Sequence, residues 1–353
     1  MAKINYGLIG FGGIAENRIA KEGFACDKAR FSSLKKARLA GAVDINPARR
    51  AAAEALGLKW YASVDELLAD KSIDAVFIAT NNASHVPMAL KAFAAGKHVI
   101  SEKPMATEKA DAVKAIETAK KLGLSYTVDH MMVNNALHKK AAALVQSGKL
   151  GTVDDCCFHM ECQTSNGQAW RCANVSEMGG PIGDMASHCF YMMEFILGKK
   201  AVRAAASYLP KTLPIKVEDG AYIKLFFADG TCGSVRVAFS EPRGGVKSMI
   251  SNLGFEIYGD SAVLRSCGTM FQLSGHDDEA VKLRLEIDRF DGRPVPVLPG
   301  RIRNIYQCLI EKHADSILTD RPMDARDGLH NLLICKAAYS SAENGGRITD
   351  IED

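Results

Sequence analysis

The stretch Ile4-Asn5-Tyr6-Gly7-Leu8-Ile9-Gly10-Phe11-Gly12-Gly13-Ile14-Ala15 constrains the fold of this chain more than any other. A buried strand runs straight into Gly10-x-Gly12-x-x-Ala15 and then into a helical pattern. In that order, backbone N–H groups at the helix start are aimed at whatever occupies the turn. Gly10 allows the tight turn, Gly12 lets the backbone approach a pyrophosphate, and Ala15 is small enough for close helix–strand packing. A strand before and a helix after is the context in which this spacing signals a dinucleotide site. Gly10, Phe11, Gly12, Gly13, Ile14 and Ala15 are therefore candidate cofactor contacts. An ordinary glycine-rich turn without a ligand remains the plain alternative.

At 353 residues the chain has room for two domains. Its net charge of +3 is scattered along the sequence, which points to neither nucleic acid nor a membrane surface as a partner. The longest apolar runs are of strand length, too short to span a bilayer. The N-terminus enters a strand without a charged leader and a long apolar stretch, so no signal peptide is read and a cytoplasmic location is expected. The ten cysteines form no C-x-x-C pair, and reduced thiols are the expectation. Cys156, Cys157, His159 and Cys162 cluster in sequence. Strand alternation, however, sends Cys156 and Cys162 to one face and Cys157 and His159 to the other, so no metal site is expected.

Beyond the first helix, a polar connection over 22–36 leads to a strand, 37–44, ending at Asp44. An acidic residue at that tip accepts both hydroxyls of an adenosine ribose and repels a 2′-phosphate. The connection is about ten residues longer than the usual ~20. Arg49 and Arg50 stand close enough to favour a 2′-phosphate instead, so NAD is preferred over NADP with both open. Asp44 also suits the N-cap of a helix over 47–56. A short helix over 63–70 follows, then the apolar strand 73–80. That strand ends in the polar turn Thr80-Asn81-Asn82-Ala83-Ser84-His85, where doubly wound sheets hold ligands. Helix 86–95, strand 97–102, helix 107–122 with Thr107 as N-cap, strand 124–129 and helix 136–147 complete an alternating α/β pattern. From 152 to 290 the strands lengthen and alternate: 221–227, 232–239, 254–258 and 281–287, with Asp229-Gly230 as a hairpin signal. One helix, 181–197, interrupts them, and helices 302–318 and 327–341 close the chain. The expected fold is thus an N-terminal Rossmann domain (1–129, doubly wound parallel sheet) plus a C-terminal α+β domain (130–353), whose C-terminal helix can pack back on the first domain, with a large open, mostly antiparallel sheet. Such a face calls for self-association, as a dimer or tetramer.

Two constellations can carry chemistry. Glu102-Lys103-Pro104 ends a sheet strand, and Pro104 restricts the backbone of Lys103. A lysine there can stabilise a developing alkoxide; a solvated surface lysine is the alternative. Asp184 and His188, four apart on the interrupting helix, share a face. A carboxylate beside an imidazole raises its basicity and fixes its orientation, as a general base for alcohol oxidation requires. A surface salt bridge uses the same spacing. Gly179 and Gly180, just ahead, let another chain or a ligand approach the helix start.

These motifs, taken in order with Trp170-Arg171 and with Tyr339-Ser340-Ser341-Ala342-Glu343 near the end, resemble the Gfo/Idh/MocA family of glucose–fructose oxidoreductases and inositol dehydrogenases. The resemblance covers nearly the whole chain. It implies a nicotinamide cofactor and a sugar, cyclitol or glycoside substrate. It implies a catalytic set of Lys103, Asp184 and His188, in which His188 takes the hydroxyl proton, Asp184 supports it and Lys103 holds the oxygen. Thr80, Asn81, Asn82 and His85 match positions lining the cofactor, and Glu102 matches one near the nicotinamide ribose. Trp170 and Arg171 match a loop reaching towards cofactor and substrate. Two departures alter the pocket: His130-Met131-Met132 stands where many members carry an aromatic–Arg pair, and Tyr191 where many carry an acidic residue. His130, Glu161, Gln163 and Tyr306 are candidate pocket residues, His130 foremost. Besides net oxidation or reduction, glycoside cleavage through transient oxidation and elimination, and a non-catalytic cofactor-binding protein, fit the same motifs.

Overall fold

The structure, a computed structural model, describes residues 3–162, 170–240, 253–268 and 283–352. The chain divides into two compact units, one of residues 1–131 and 303–329, the other of 132–302 and 330–353.

The first unit is built on six parallel strands: β1 (Ile4–Ile9), β2 (Ala37–Val43), β3 (Lys59–Trp60), β4 (Ala75–Ile78), β5 (His98–Ser101) and β6 (Tyr126–Val128). Their order is β3-β2-β1-β4-β5-β6, which reverses between β1 and β4 and so creates the crevice where open α/β sheets take ligands. All four residues of β4 are buried, as a central parallel strand covered on both faces requires. The helix after the glycine turn, Ala15–Gly23, is π-helical. Two helix starts differ from the sequence expectation. Asn46, not Asp44, caps the turn at Pro47–Arg49 by accepting the Ala48 N–H at 3.1 Å. The helix expected from Thr107 begins at Lys109, after an extended Glu108.

Residues 303–329 return to the first unit, where helix Ile305–Leu318 packs on β1, β2 and helix Ala15–Gly23. This explains the long connection after the first helix. Gln307 Nε2 donates to the Glu22 carbonyl at 3.1 Å, Asn304 Nδ2 to the Glu22 carboxylate at 3.3 Å, and Glu311 accepts the Lys36 amide at 3.3 Å. The extra residues form a seat for a helix that arrives from far along the chain.

The second unit carries nine strands: β7 (Val153–Glu161), β8 (Ala201–Tyr208), β9 (Gly220–Phe227), β10 (Cys232–Ala238), β11 (Leu253–Gly259), β12 (Val263–Gly268), β13 (Arg284–Asp288), β14 (Val295–Pro296) and β15 (Thr349–Asp350). Their order is β14-β13-β12-β11-β7-β10-β9-β8-β15, with β7 and β10 parallel and the other neighbours antiparallel. Helices Ala136–Gln146 and Ser187–Leu197 pack together, the latter against β7 and β10. Phe158 and Phe255 stack at 5.0 Å in the core. Cys156 and Cys162 turn towards Met193 and Met185 of the interrupting helix, while His159 bonds Glu161 on the other face. Among the described residues no group of three His, Cys, Asp or Glu side chains gathers as a metal ligand set, and no helix is long and apolar enough to cross a membrane.

In the first unit's core, Tyr6 Oη lies 2.7 Å from His313 Nδ1. Burial pushes the His313 imidazole down to about 3. The folded chain therefore keeps this ring neutral, while the unfolded chain protonates it below about pH 6.5. Stability present above that pH is lost on acidification, by about 1.4 kcal/mol per pH unit for this one group. Denaturant unfolding between pH 7 and pH 5 should show that slope as the difference between the wild type and His313→Gln.

Candidate functional site

In the first unit, Gly10 follows β1 with φ of +90°. A Cβ there would lie 2.4 Å from the Ala79 carbonyl oxygen, so only glycine fits. Gly12 and Gly13 show the opposite: a Cβ on either would meet none of the described residues within 4 Å. The turn is thus tight beneath and open above, the shape a pyrophosphate needs. The side chains of Phe11 and Ala15 are buried in the core and Ile14 is exposed. Phe11 therefore offers a ligand its backbone, not its ring.

The Phe11 N–H donates to Asp44 Oδ2 at 2.6 Å, and the Asn46 N–H to Oδ1 at 2.8 Å. The carboxylate at the tip of β2 is held against the glycine turn and keeps lone pairs for a diol. Arg49 grips the same turn from its other side. Its Nε donates to the Phe11 carbonyl at 2.7 Å, its guanidinium lies over the Phe11 ring, and it pairs with Glu16. Arg50 pairs with Glu54 at 2.7 Å. Both cations that a 2′-phosphate would seek are engaged by carboxylates.

Beyond β4, Ser84 Oγ donates to Asn81 Oδ1 at 2.6 Å and Thr80 Oγ1 to the Asn81 carbonyl at 3.2 Å. Asn82 is buried at the start of a short 3-10 turn, Asn82–Ser84. His85 is wholly buried, with Nδ1 2.7 Å from the Pro104 carbonyl and Nε2 3.3 Å from the Thr80 carbonyl. It fastens the loop after β4 to the loop after β5, so its influence on a ligand runs through those two loops. Glu102 and Lys103 follow β5, the Lys103–Pro104 peptide is cis, and the Lys103 amide donates to Glu102 Oε2 at 3.2 Å. Asp129, at the end of β6, is fully buried. Burial first, and then the Glu102 charge, raise its carboxyl well above the usual range. The Tyr306 hydroxyl is raised likewise by burial and by the charges of Asp129 and Glu102. Sequence reasoning took Asp129 only as a strand end; its signal was a carboxyl closing an apolar strand. The His130 amide donates to the Val128 carbonyl at 2.8 Å, turning the chain away from β6.

In the second unit, the interrupting helix starts at Pro181, runs through a π-helical turn, Ile182–Ala186, and continues as Ser187–Leu197. Gly198, at φ +69°, ends it. π-turns are rare and concentrate at functional sites. His188 is only 6% exposed, and its Nδ1 lies 2.8 Å from Tyr191 Oη. The Asp184 carboxylate lies 3.6 Å from Arg171 Nη1. The helical spacing singled out Asp184 and His188 but missed Tyr191 as the partner of the ring. The signal was present in the i, i+3 spacing. Trp170, 38% exposed, begins the short helix Trp170–Ala173. The two glycines before the helix are explained differently from the sequence expectation. A Cβ on Gly179 would lie 2.8–2.9 Å from the carbonyl oxygens of Asn174 and Arg171, and one on Gly180 would strike the Glu218 carboxylate. The chain's own segments make the close approach. Glu161 bridges His159 at 2.9 Å and Arg236 at 2.8 Å on the sheet. Gln163 lies outside the described residues.

The family model for the oxidoreductase family with an NAD-binding Rossmann fold matches residues 4–130, and the GFO/IDH/MocA C-terminal domain matches residues 138–265. The chain is 30% identical over 216 residues to a 1,5-anhydro-D-fructose reductase of Ensifer adhaerens, a match covering 61% of this chain and 63% of that relative. Among solved structures, the aldose-aldose oxidoreductase of Caulobacter crescentus, complexed with glycerol, superposes with a TM-score of 0.84 at 24% identity over 99% of both chains. A levoglucosan dehydrogenase, complexed with NADH and levoglucosan, gives 0.81 at 21% identity over 99% of this chain and 100% of that one. A glycine turn open above an acid-tipped second strand, in a 3-2-1-4-5-6 sheet followed by a nine-stranded mixed one, meets the two domain models in the same order: this chain belongs to the Gfo/Idh/MocA oxidoreductases.

Proposed function

We propose that this protein is an NAD-preferring dehydrogenase or reductase acting on a secondary alcohol of a sugar, cyclitol or glycoside. The observation that carries the reading is the His188 ring, buried on a π-turned helix with its Nδ1 held at 2.8 Å by the Tyr191 hydroxyl. In the tautomer whose Nδ1–H donates to Tyr191, the lone pair is on Nε2, the state a general base requires. In oxidation His188 takes the hydroxyl proton, Asp184 supplies negative charge on the same helix, and Lys103 donates to the substrate oxygen as it becomes anionic. Bound NAD supplies the hydride acceptor, or in its reduced form the donor.

The cofactor preference rests on Asp44 and on the pairing of Arg49 and Arg50. Gly10, Gly12 and Gly13 admit the pyrophosphate, with Ile14 and Ala15 at the helix start. Thr80, Asn81, Asn82 and Glu102 line the nicotinamide half, and His85 holds their loops. The substrate class follows the relatives that act on 1,5-anhydro-D-fructose and bind levoglucosan, both cyclic polyols or their ketones. Trp170, Arg171 and His130 are the proposed substrate contacts. The face of the nine-stranded sheet bearing His159, Tyr222, Lys224 and Arg236 is the proposed surface for self-association.

Incubation with NAD and a panel of aldoses, anhydro-sugars, inositols and glycosides should raise reduced-nicotinamide absorbance for at least one of them. Aglycone release with no net NADH would instead mark cleavage, and silence across the panel would mark a binding protein. His188→Ala should lower kcat by about 10²–10⁴ while NADH affinity stays unchanged by fluorescence titration. Asp44→Ala should weaken NADH about tenfold, roughly the loss of one charge-assisted hydrogen bond, and weaken NADPH less, because both cofactors lose the hold on the Phe11 amide but only NADH loses the ribose contact.

A further inference from the structure

The helix that carries Asp184 and His188 is gripped at its first turn by two residues from distant parts of the second unit. Glu218, just ahead of β9, accepts the Ile182 N–H on Oε1 at 2.9 Å. Tyr339, on helix Arg326–Glu343, accepts the Gly183 N–H on its hydroxyl at 3.1 Å. Helix N-terminal amides need such acceptors, and a carboxylate there also meets the positive end of the helix dipole. The same Tyr339 hydroxyl lies 3.1 Å from the Gly179 carbonyl and 3.3 Å from Glu218 Oε1. It has one proton for two acceptors. Gly180, at φ +97°, passes so close to Glu218 that a Cβ would fall 2.4 Å from a carboxylate oxygen. Its own N–H donates to the Arg171 carbonyl at 2.7 Å, and its carbonyl accepts the Asp184 N–H at 2.9 Å. The Gly179–Gly180 turn thus links this grip to both members of the Arg171–Asp184 pair. Glu218 is itself anchored by its neighbour: Asp219 Oδ2 accepts the Leu213 N–H and the Thr212 hydroxyl, each at 2.8 Å.

We propose that Glu218 and Tyr339 are positioning residues, fixing the first turn of the helix and so the places at which Asp184 and His188 present their side chains. The proposal rests on the catalytic reading of those two residues. Burial raises the Glu218 carboxyl to about 7, opposed by the Ile182 amide, Tyr339 and Lys211. Among the described residues, the titratable groups facing it are Tyr339, Lys211 and, from β8, Tyr208. Ionised, Glu218 draws the Tyr339 proton and holds the Ile182 amide more strongly; protonated, it leaves that proton to the Gly179 carbonyl. The grip therefore tightens as pH rises through the neutral range. Because the folded value lies above the unfolded one, the same ionisation costs folding stability over that range.

The test uses the full-length protein. In the wild type, the NMR titration of the His188 imidazole should carry a second inflexion near pH 7, and Glu218→Gln should abolish it. With the substrate found by the panel, Glu218→Gln and Tyr339→Phe should each lower kcat about tenfold above pH 7, as a small misplacement of a catalytic group does, with NADH affinity unchanged. Glu218→Gln should also melt higher than the wild type above pH 7. A His188 titration with no second inflexion in the wild type, or a kcat–pH profile of either folded variant that superimposes on the wild type, overturns the proposal, so the test holds even if one variant fails to fold. Should His188→Ala retain full turnover, the catalytic reading falls by itself. The imidazole titration then still decides whether the grip reaches that ring.

Discussion

The hydrogen bond from the Phe11 amide to the Asp44 carboxylate is the contact on which the ligand-facing side of the first unit depends. It joins the end of β1 to the end of β2. Gly10, pressed against the Ala79 carbonyl, joins the end of β1 to the end of β4 in the same turn. Three strand ends are thereby locked before any ligand arrives, at the point where the strand order reverses. A charge-assisted bond of this kind contributes about 1.5–3 kcal/mol, enough to keep the turn in one conformation. Preorganisation matters here because a pyrophosphate is held by backbone amides, which discriminate only if they already point at it. Arg49 closes the arrangement from the other side through the Phe11 carbonyl and Glu16, so this arginine serves the turn's shape.

Much of this was legible in the sequence because its determinants are local. A glycine at a positive φ, a small residue at a helix start and an acidic strand tip each act over a few residues. A doubly wound parallel sheet follows from the strand–helix alternation and right-handed crossovers, whereas the order 3-2-1-4-5-6 is one of several that obey both. The Asp229-Gly230 turn likewise joins β9 to β10 as its dipeptide predicts. What could not be read was contact across long sequence separations. Helix 305–318 returns to seat itself on the 22–36 connection, and nothing near Glu22 announces Gln307 or Asn304. The extra length of that connection was visible, but its purpose lay almost three hundred residues away. The glycines at 179 and 180 were visible too, yet the neighbours that demand them, Arg171, Asn174 and Glu218, belong to segments no periodicity links to them.

The second unit must place polar chemistry on an otherwise apolar helix. Every residue of Ser187–Leu197 except Phe195 is buried, including His188 and Glu194. Buried polar groups survive only where partners satisfy them. Glu194 is met by His330, Lys200 and the Ala201 amide. The Ser187 hydroxyl bonds back to the Gly183 carbonyl, and Asn331 takes the Ser187 carbonyl. The helix is thus fixed by side chains from outside it, and the π-turn ends where Asn331 meets Ser187.

Tyr191 gives that arrangement its chemical character. Many relatives of this family place an acidic residue three positions after the histidine, and a carboxylate there would both orient the ring and raise its basicity. A phenol at 2.8 Å from Nδ1 orients the ring equally well but adds no negative charge. The Asp184 carboxylate, one turn earlier on the same helix, lies 3.6 Å from Arg171 Nη1. On the proposed role of His188, a phenol in place of a buried carboxylate aims the ring without a second charge to desolvate. Under the proposed function, the residue at 191 therefore bears on how the ring is aimed at the proton and not on the hydride.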